Sequence, residues 1–231
     1  MTVEITDLSI PVGEHETSVS GLYLKPEEPK AVLALGHGAG AGMTHVFMEQ
    51  LAAQLGEHGI ATLRYNFPYK EHGGKRPDRT PVLTGTIKAV FEVARQLADG
   101  LPIFAGGKSM GGRMTSQTMA MEQFSDLKGL VFYGFPLHPA GKPGVARADH
   151  LADAHAPLLF LQGSRDRLAD IGLIRGVVSD LGSFATLHVI EDADHSFNML
   201  KRSGRSNADA IAELALETHR WIDSVVAPPA T

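Results

Sequence analysis

The feature that most constrains this chain is a repeated alternation. Short, uninterrupted apolar runs such as Ala31-Val32-Leu33-Ala34-Leu35 and Leu158-Leu159-Phe160-Leu161 are separated by stretches with helical spacing. A strand that reads apolar without alternation has both faces covered, which is the condition of a parallel sheet. Eight strands are predicted: Thr2–Ile10, Val19–Leu24, Ala31–Leu35, Thr62–Asn66, Pro102–Ala105, Gly129–Tyr133, Leu158–Gln162 and Thr186–Ile190. Helices are predicted at Val46–His58, Val82–Ala98, Met110–Gln123, Ile171–Leu181 and Ala208–Val226, with a short helical piece around Arg147–Ala154. The first two strands have no helix between them and are read as a hairpin. From there on the order is strand–helix–strand, so the expectation is a mostly parallel sheet with helices on both faces.

Residues 1–231 are read as one α/β domain, a length that a single large core can serve. The net charge of -5 argues against nucleic acid as the main partner, because phosphate binding needs a basic face. No apolar run approaches the ~18 residues of a membrane span. Met1–Pro11 has neither the basic nor the apolar region of a signal peptide, so a cytoplasmic location is expected. The chain has no cysteine, which excludes disulfides, thiolate metal sites and a cysteine nucleophile.

Two stretches break the rhythm, Pro68–Pro81 and Phe135–Pro157. Both are rich in proline and glycine and follow strand ends. Ligands of open α/β sheets bind at that edge, so both are read as pocket walls.

The most informative segment is Ile103-Phe104-Ala105-Gly106-Gly107-Lys108-Ser109-Met110-Gly111-Gly112-Arg113. A buried strand ends, Gly-x-Ser-x-Gly follows, and a helix pattern starts at once. That is the context of a strained strand-to-helix turn presenting a nucleophilic serine, here Ser109. Gly107 and Gly111 are expected to face each other across the turn. The Met110 N–H, at the helix start, would point at an oxyanion formed on attack. Gly107-Lys108-Ser109 also reads like the end of a phosphate-binding P-loop, but that motif needs glycine five positions before Gly107, where this chain has Pro102. Lys108 is expected to face solvent.

A serine hydroxyl needs a base, and the base needs an orienting acid. Asp166 follows the run Leu158–Gln162, and His195 follows the next strand and precedes the last helix, so Ser, Asp and His arrive in the order this arrangement requires. Asp192, Asp194 and Asp170 compete less well for the acid role, the first two because they lie so close to His195 in sequence. The second oxyanion donor is sought in Gly36-His37-Gly38-Ala39-Gly40-Ala41-Gly42, with Ala39 first and Gly40 as the alternative. A dinucleotide-binding reading of that loop fails because its third glycine would be Met43. His150 and His155 are five apart, off helical metal-pair spacing, and His15, His58, His72, His188 and His219 read as surface residues, so no metal or cofactor is expected.

These segments resemble the α/β-hydrolase superfamily. The resemblance is to its dienelactone-hydrolase-like branch, and within it to a group related to the testis-expressed and NSL-complex hydrolase-like proteins. The matching stretches are Gly36–Gly40, Arg64-Tyr65-Asn66-Phe67-Pro68-Tyr69, Gly106–Arg113, Tyr133–Pro139 with Gly141-Lys142-Pro143, and Gln162–Asp166. The resemblance implies an α/β-hydrolase fold of about eight strands without a large cap, and a catalytic triad of Ser109, Asp166 and His195. Dienelactone hydrolase itself uses cysteine as its nucleophile, so its lactone substrate is not carried over. Phe67, Tyr69, Phe135 and His138, after strands at the active-site edge, are expected to line the substrate pocket, with a place in the core an equal alternative for Phe67 and Phe135. The implied activity is hydrolysis of a small ester or thioester. The alternative is a binding or scaffold protein that retains the fold without the chemistry, and a haloperoxidase-like side activity would use the same triad.

Overall fold

The computed structural model describes residues 2–13, 17–122 and 124–227. Gln123, the expected end of one helix, and His15 lie outside them.

Eight strands form one sheet: β1 (Val3–Pro11), β2 (Ser18–Pro26), β3 (Ala31–Gly36), β4 (Ile60–Tyr65), β5 (Ile103–Lys108), β6 (Leu127–Tyr133), β7 (Leu158–Gly163) and β8 (Ala185–Ile190). Their spatial order is β1-β2-β4-β3-β5-β6-β7-β8. The β1–β2 hairpin and the β2–β4 pair are antiparallel, and every pair from β4 to β8 is parallel. The helices are α1 (Val46–Glu57), α2 (Pro68–Glu71), α3 (Thr80–Ala98), α4 (Met110–Met121), α5 (Ile171–Leu181) and α6 (Asn207–Val226). Ala146–Ala154 winds as a 3-10 helix where a short helical piece is expected.

The continuous apolar runs are explained by two cores, one on each face. Every residue of β3, β4 and β7 is buried. Side chains alternate along a strand, so Val32 and Ala34 enter one core while Ala31, Leu33 and Leu35 enter the other. On the first face α3 contributes Leu83, Ile87, Val90 and Phe91, and α4 contributes Met114 and Met119. On the second, α1 packs with Phe47, Leu51 and Leu55 and α6 with Ile211, Leu214 and Trp221. The outer strand β1 is mostly exposed, with Ile5 at 57%.

Side chains cap the starts of α5 and α6. Asp170 accepts from the N–H groups of Gly172 and Leu173 at the head of α5. Ser206 and Asp209 form a reciprocal capping box on α6.

The strand order reverses at β3. The chain runs from β3 outward to β4, then returns past β3 to β5. The loops leaving β3 and β5 therefore part from each other at the carboxyl edge and open a crevice between them. No large cap covers that crevice among the described residues.

Candidate active site

Ser109 follows β5 and stands at the N-cap position of α4, with φ 51° and ψ -115°. Such backbone is strained for any residue with a side chain, by about 1–3 kcal/mol. The flanking glycines are required because both face the end of β3. A Cβ on Gly107 would lie 2.2 Å from the Gly36 carbonyl oxygen, and one on Gly111 would lie 2.4 Å from the same atom. The turn is pressed against the end of β3 and also against itself, since a Cβ on Gly112 would lie 2.7 Å from the Gly107 carbonyl oxygen. The serine hydroxyl makes no hydrogen bond to the helix start.

His195 Nε2 lies 2.9 Å from Ser109 Oγ, and His195 Nδ1 lies 2.6 Å from Asp166 Oδ2. Asp166, in the turn after β7, has a fully buried side chain, whereas that of His195 is 22% exposed. The carboxylate is held from behind. Leu168 N–H donates to Oδ1 at 2.7 Å, and the Gln162 side-chain amide donates to Oδ2. Asp194 is occupied elsewhere, accepting from the N–H groups of Ser196 and Asn198 and so stiffening the His195 loop. Asp192 donates its N–H to the Ser164 hydroxyl oxygen, and Asp170 caps α5. Close approach of the two loops depends on Gly163, where a Cβ would lie 2.5 Å from the Ala193 carbonyl oxygen.

The loop after β3 is fixed by side chains from below. His37 is fully buried. Its Nε2 accepts from the Phe67 N–H at 3.2 Å and its Nδ1 donates to the Gly38 carbonyl at 2.8 Å. Burial lowers its pKa to about 4, so it is a neutral imidazole with one donor and one acceptor. The Tyr69 hydroxyl donates to the Ala39 carbonyl at 2.8 Å. Arg64 donates to the Met43 carbonyl, and Asn66 Oδ1 accepts from the Met43 N–H.

Four residues expected in the pocket do not line it. Phe67 and Phe135 are fully buried in the core. Phe67 packs edge-on against His37 and Tyr65, and Phe135 against Phe132 and Phe160. Tyr69 points its hydroxyl into the loop, and His138 Nε2 accepts from the Asp170 N–H, tying two loops together. The physical reason is shared: a residue just past a strand end can turn into the core or into the crevice, and these turn inward. Lys108 also departs from expectation. Its ammonium folds back to donate to the His195 carbonyl at 2.6 Å instead of facing solvent.

The crevice beside Ser109 and His195 encloses about 400 Å³. Ala39, Ala41, Phe47 and Met48 form its apolar wall, and Lys108 and Ser196 its polar one. Phe47 and Met48 were missed in the sequence because their spacing reads as helix core. The strand-end rule, applied to the first turn of the helix after β3, would have found them. Among the described residues no group of three or more His, Asp or Glu side chains could hold a metal ion, and no helix is long and apolar enough to cross a membrane.

The sequence model of the Alpha/beta hydrolase domain matches residues 29–223. This chain belongs to the alpha/beta hydrolase family. Solved structures similar to the hydrolase include a dienelactone hydrolase from Anabaena variabilis, with 19% identity and TM-score 0.74, covering 96% of this chain and 98% of that one. A serine hydrolase without a lid from Xanthomonas campestris shares 22% identity at TM-score 0.72, covering 99% and 97%. A cold-adapted esterase from an Arctic intertidal metagenomic library shares 20% identity at TM-score 0.67, covering 97% and 95%. At these identities the likeness is one of fold.

Proposed function

We propose that this hydrolase is a serine esterase or thioesterase acting on a small substrate through an acyl-serine intermediate. The observation that carries the reading is the unbroken hydrogen-bond chain from Ser109 through His195 to Asp166. In this reading His195 Nε2 takes the Ser109 proton as Oγ attacks the acyl carbon. The imidazolium, steadied by Asp166, returns that proton to the departing alcohol or thiol. Water then repeats the sequence and frees the acid.

The oxyanion is assigned to the N–H groups of Ala39 and Met110. Met110 opens α4, where backbone N–H groups have no helical partner. The Gly38 carbonyl is held by His37 and by the Ala41 N–H. Across a trans peptide, that turns the Ala39 N–H the opposite way. Each such donor contributes on the order of 3 kcal/mol to the transition state. A crevice of about 400 Å³ open to solvent suits short acyl groups. The segments Arg64–Tyr69, Gly106–Arg113 and Tyr133–Lys142 support a place in the dienelactone-hydrolase-like branch, in the group related to the testis-expressed and NSL-complex hydrolase-like proteins.

The test is labelling of the purified protein with a fluorophosphonate probe, the site being found by mass spectrometry. Label on Ser109 that disappears in Ser109→Ala and His195→Ala is the expected result. A folded protein that takes no label overturns the assignment in favour of a non-catalytic binding role.

A further inference from the structure

Lys108 ends β5 directly before Ser109, and the acyl-transfer steps make no use of it. Its ammonium is placed by three contacts. It donates to the His195 carbonyl at 2.6 Å, and it stands 5.4 Å from the Phe197 ring centre and 5.9 Å from that of Phe47. The two rings stack on each other, 5.8 Å apart and 12° from parallel. Both distances are within reach of a cation–π attraction. No carboxylate oxygen lies within 4 Å of the ammonium among the described residues. A half-buried cation without an ion-pair partner is costly to keep, and two of its three contacts fall on one loop.

That loop carries His195, and it is under strain. Asp192 and Phe197, on either side of the histidine, adopt φ of 62° and 61°. An aspartate tolerates this left-handed region, but a bulky phenylalanine avoids it and keeps it only where surrounding contacts over-determine it. Lys108 supplies two such contacts, on the His195 carbonyl and on the Phe197 ring. Room for it comes from Gly134, where a Cβ would lie 3.1 Å from the ammonium and 3.5 Å from His195 Cε1.

We propose that Lys108 is a positioning residue, which through the His195 carbonyl and the Phe47–Phe197 pair holds the imidazole in register with Ser109. The proposal rests on the serine-hydrolase reading. The titratable groups facing Lys108 are Asp166 from the β7 turn, Asp194 and His195 from the β8 loop, and His45 across the crevice. Burial lowers the Lys108 pKa to about 8 while the two aspartates oppose the shift. The cation is therefore complete below that pH and is lost as pH rises through it.

The experiment compares wild type, Lys108→Met and Lys108→Arg in fluorophosphonate labelling rate and in p-nitrophenyl acetate hydrolysis between pH 6 and 10. Lys108→Met should slow labelling of Ser109 by about tenfold or more, the scale of a lost hydrogen bond from a charged donor. It should lower kcat with KM within about twofold, and Lys108→Arg should recover part of the loss. Wild type should slow as pH rises past about 8, and Lys108→Met should lack that limb. Should Lys108→Met fail to fold, Lys108→Ala takes its place in the labelling assay, and labelling at the wild-type rate overturns the proposal. So does unchanged labelling in Lys108→Met, or a raised KM with kcat intact, which would make Lys108 a substrate contact. If wild type takes no label, the parent reading falls and this proposal falls with it.

Discussion

The Tyr69 hydroxyl sits 2.8 Å from the Ala39 carbonyl oxygen and holds it as a donor. Burial raises the pKa of this phenol to about 12, so it remains a donor at any working pH. Fixing the Ala39 carbonyl also fixes the Gly40 N–H, which points the other way across the trans peptide. Tyr69→Phe removes one hydroxyl and nothing else. It should slow fluorophosphonate labelling about fivefold while the melting temperature moves by only a few degrees, the scale of one hydrogen bond. An unchanged rate would show that the loop holds its shape without the clamp.

Asp166→Asn tests the acid. The carboxylate accepts from His195, Gln162 and Leu168. An amide cannot accept from all three and leaves the imidazole free to take the wrong tautomer. Ester hydrolysis should fall by about 10³–10⁴ with the fold retained, as measured by kcat and by circular dichroism. A loss below about tenfold would remove Asp166 from the triad.

The two turn glycines should differ sharply from a third one nearby. Gly111→Ala puts a methyl 2.4 Å from a main-chain oxygen of β3, and backbone cannot step aside as a side chain could. Destabilisation of about 3 kcal/mol is expected from urea unfolding. Gly40→Ala meets nothing within 4 Å and should stay within about 0.5 kcal/mol of wild type.

Acid should weaken the fold through His37. Its pKa is about 4 when folded against an ordinary value of 6.5, so the unfolded chain binds the extra proton. Stability is then complete above pH 6.5 and is lost progressively as pH falls toward 4. Up to about 3 kcal/mol is at stake for a fully buried imidazole. Urea midpoints at pH 7 and pH 4.5 measure it, and His37→Gln should show a shallower decline.

Much of this architecture is legible in the chain because burial writes itself into β3 and β7 as unbroken apolar runs, and into the hairpin as a gap without a helix. Strand ends agree less well. β5 runs on through Gly106 and Gly107 to Lys108, since pairing with β6 overrides the poor strand preference of glycine. The four-residue helix α2 leaves no signal in the sequence, because one turn carries no periodicity. At the site, the chain order and flanking glycines of Ser109, Asp166 and His195 are local signals, and the structure brings these three side chains together. The inward turns of Phe67 and Phe135 are not local. They depend on which neighbour offers space, as Phe132 and Phe160 do for Phe135. The inward fold of Lys108 is hidden for the same reason, since its partner lies 87 residues away.

The serine that opens α4 caps nothing, and its backbone lies outside the β-region a capping residue needs. A glycine would suit φ 51° and ψ -115° better than any residue with a side chain. Ser109→Gly is therefore expected to gain roughly 1 kcal/mol of stability while abolishing labelling. At this one position, thermal robustness and chemical reactivity are rivals. A chain drifting without a need for the hydroxyl would be expected to exchange it early, so the serine acts as a gauge of whether selection for chemistry is still in force.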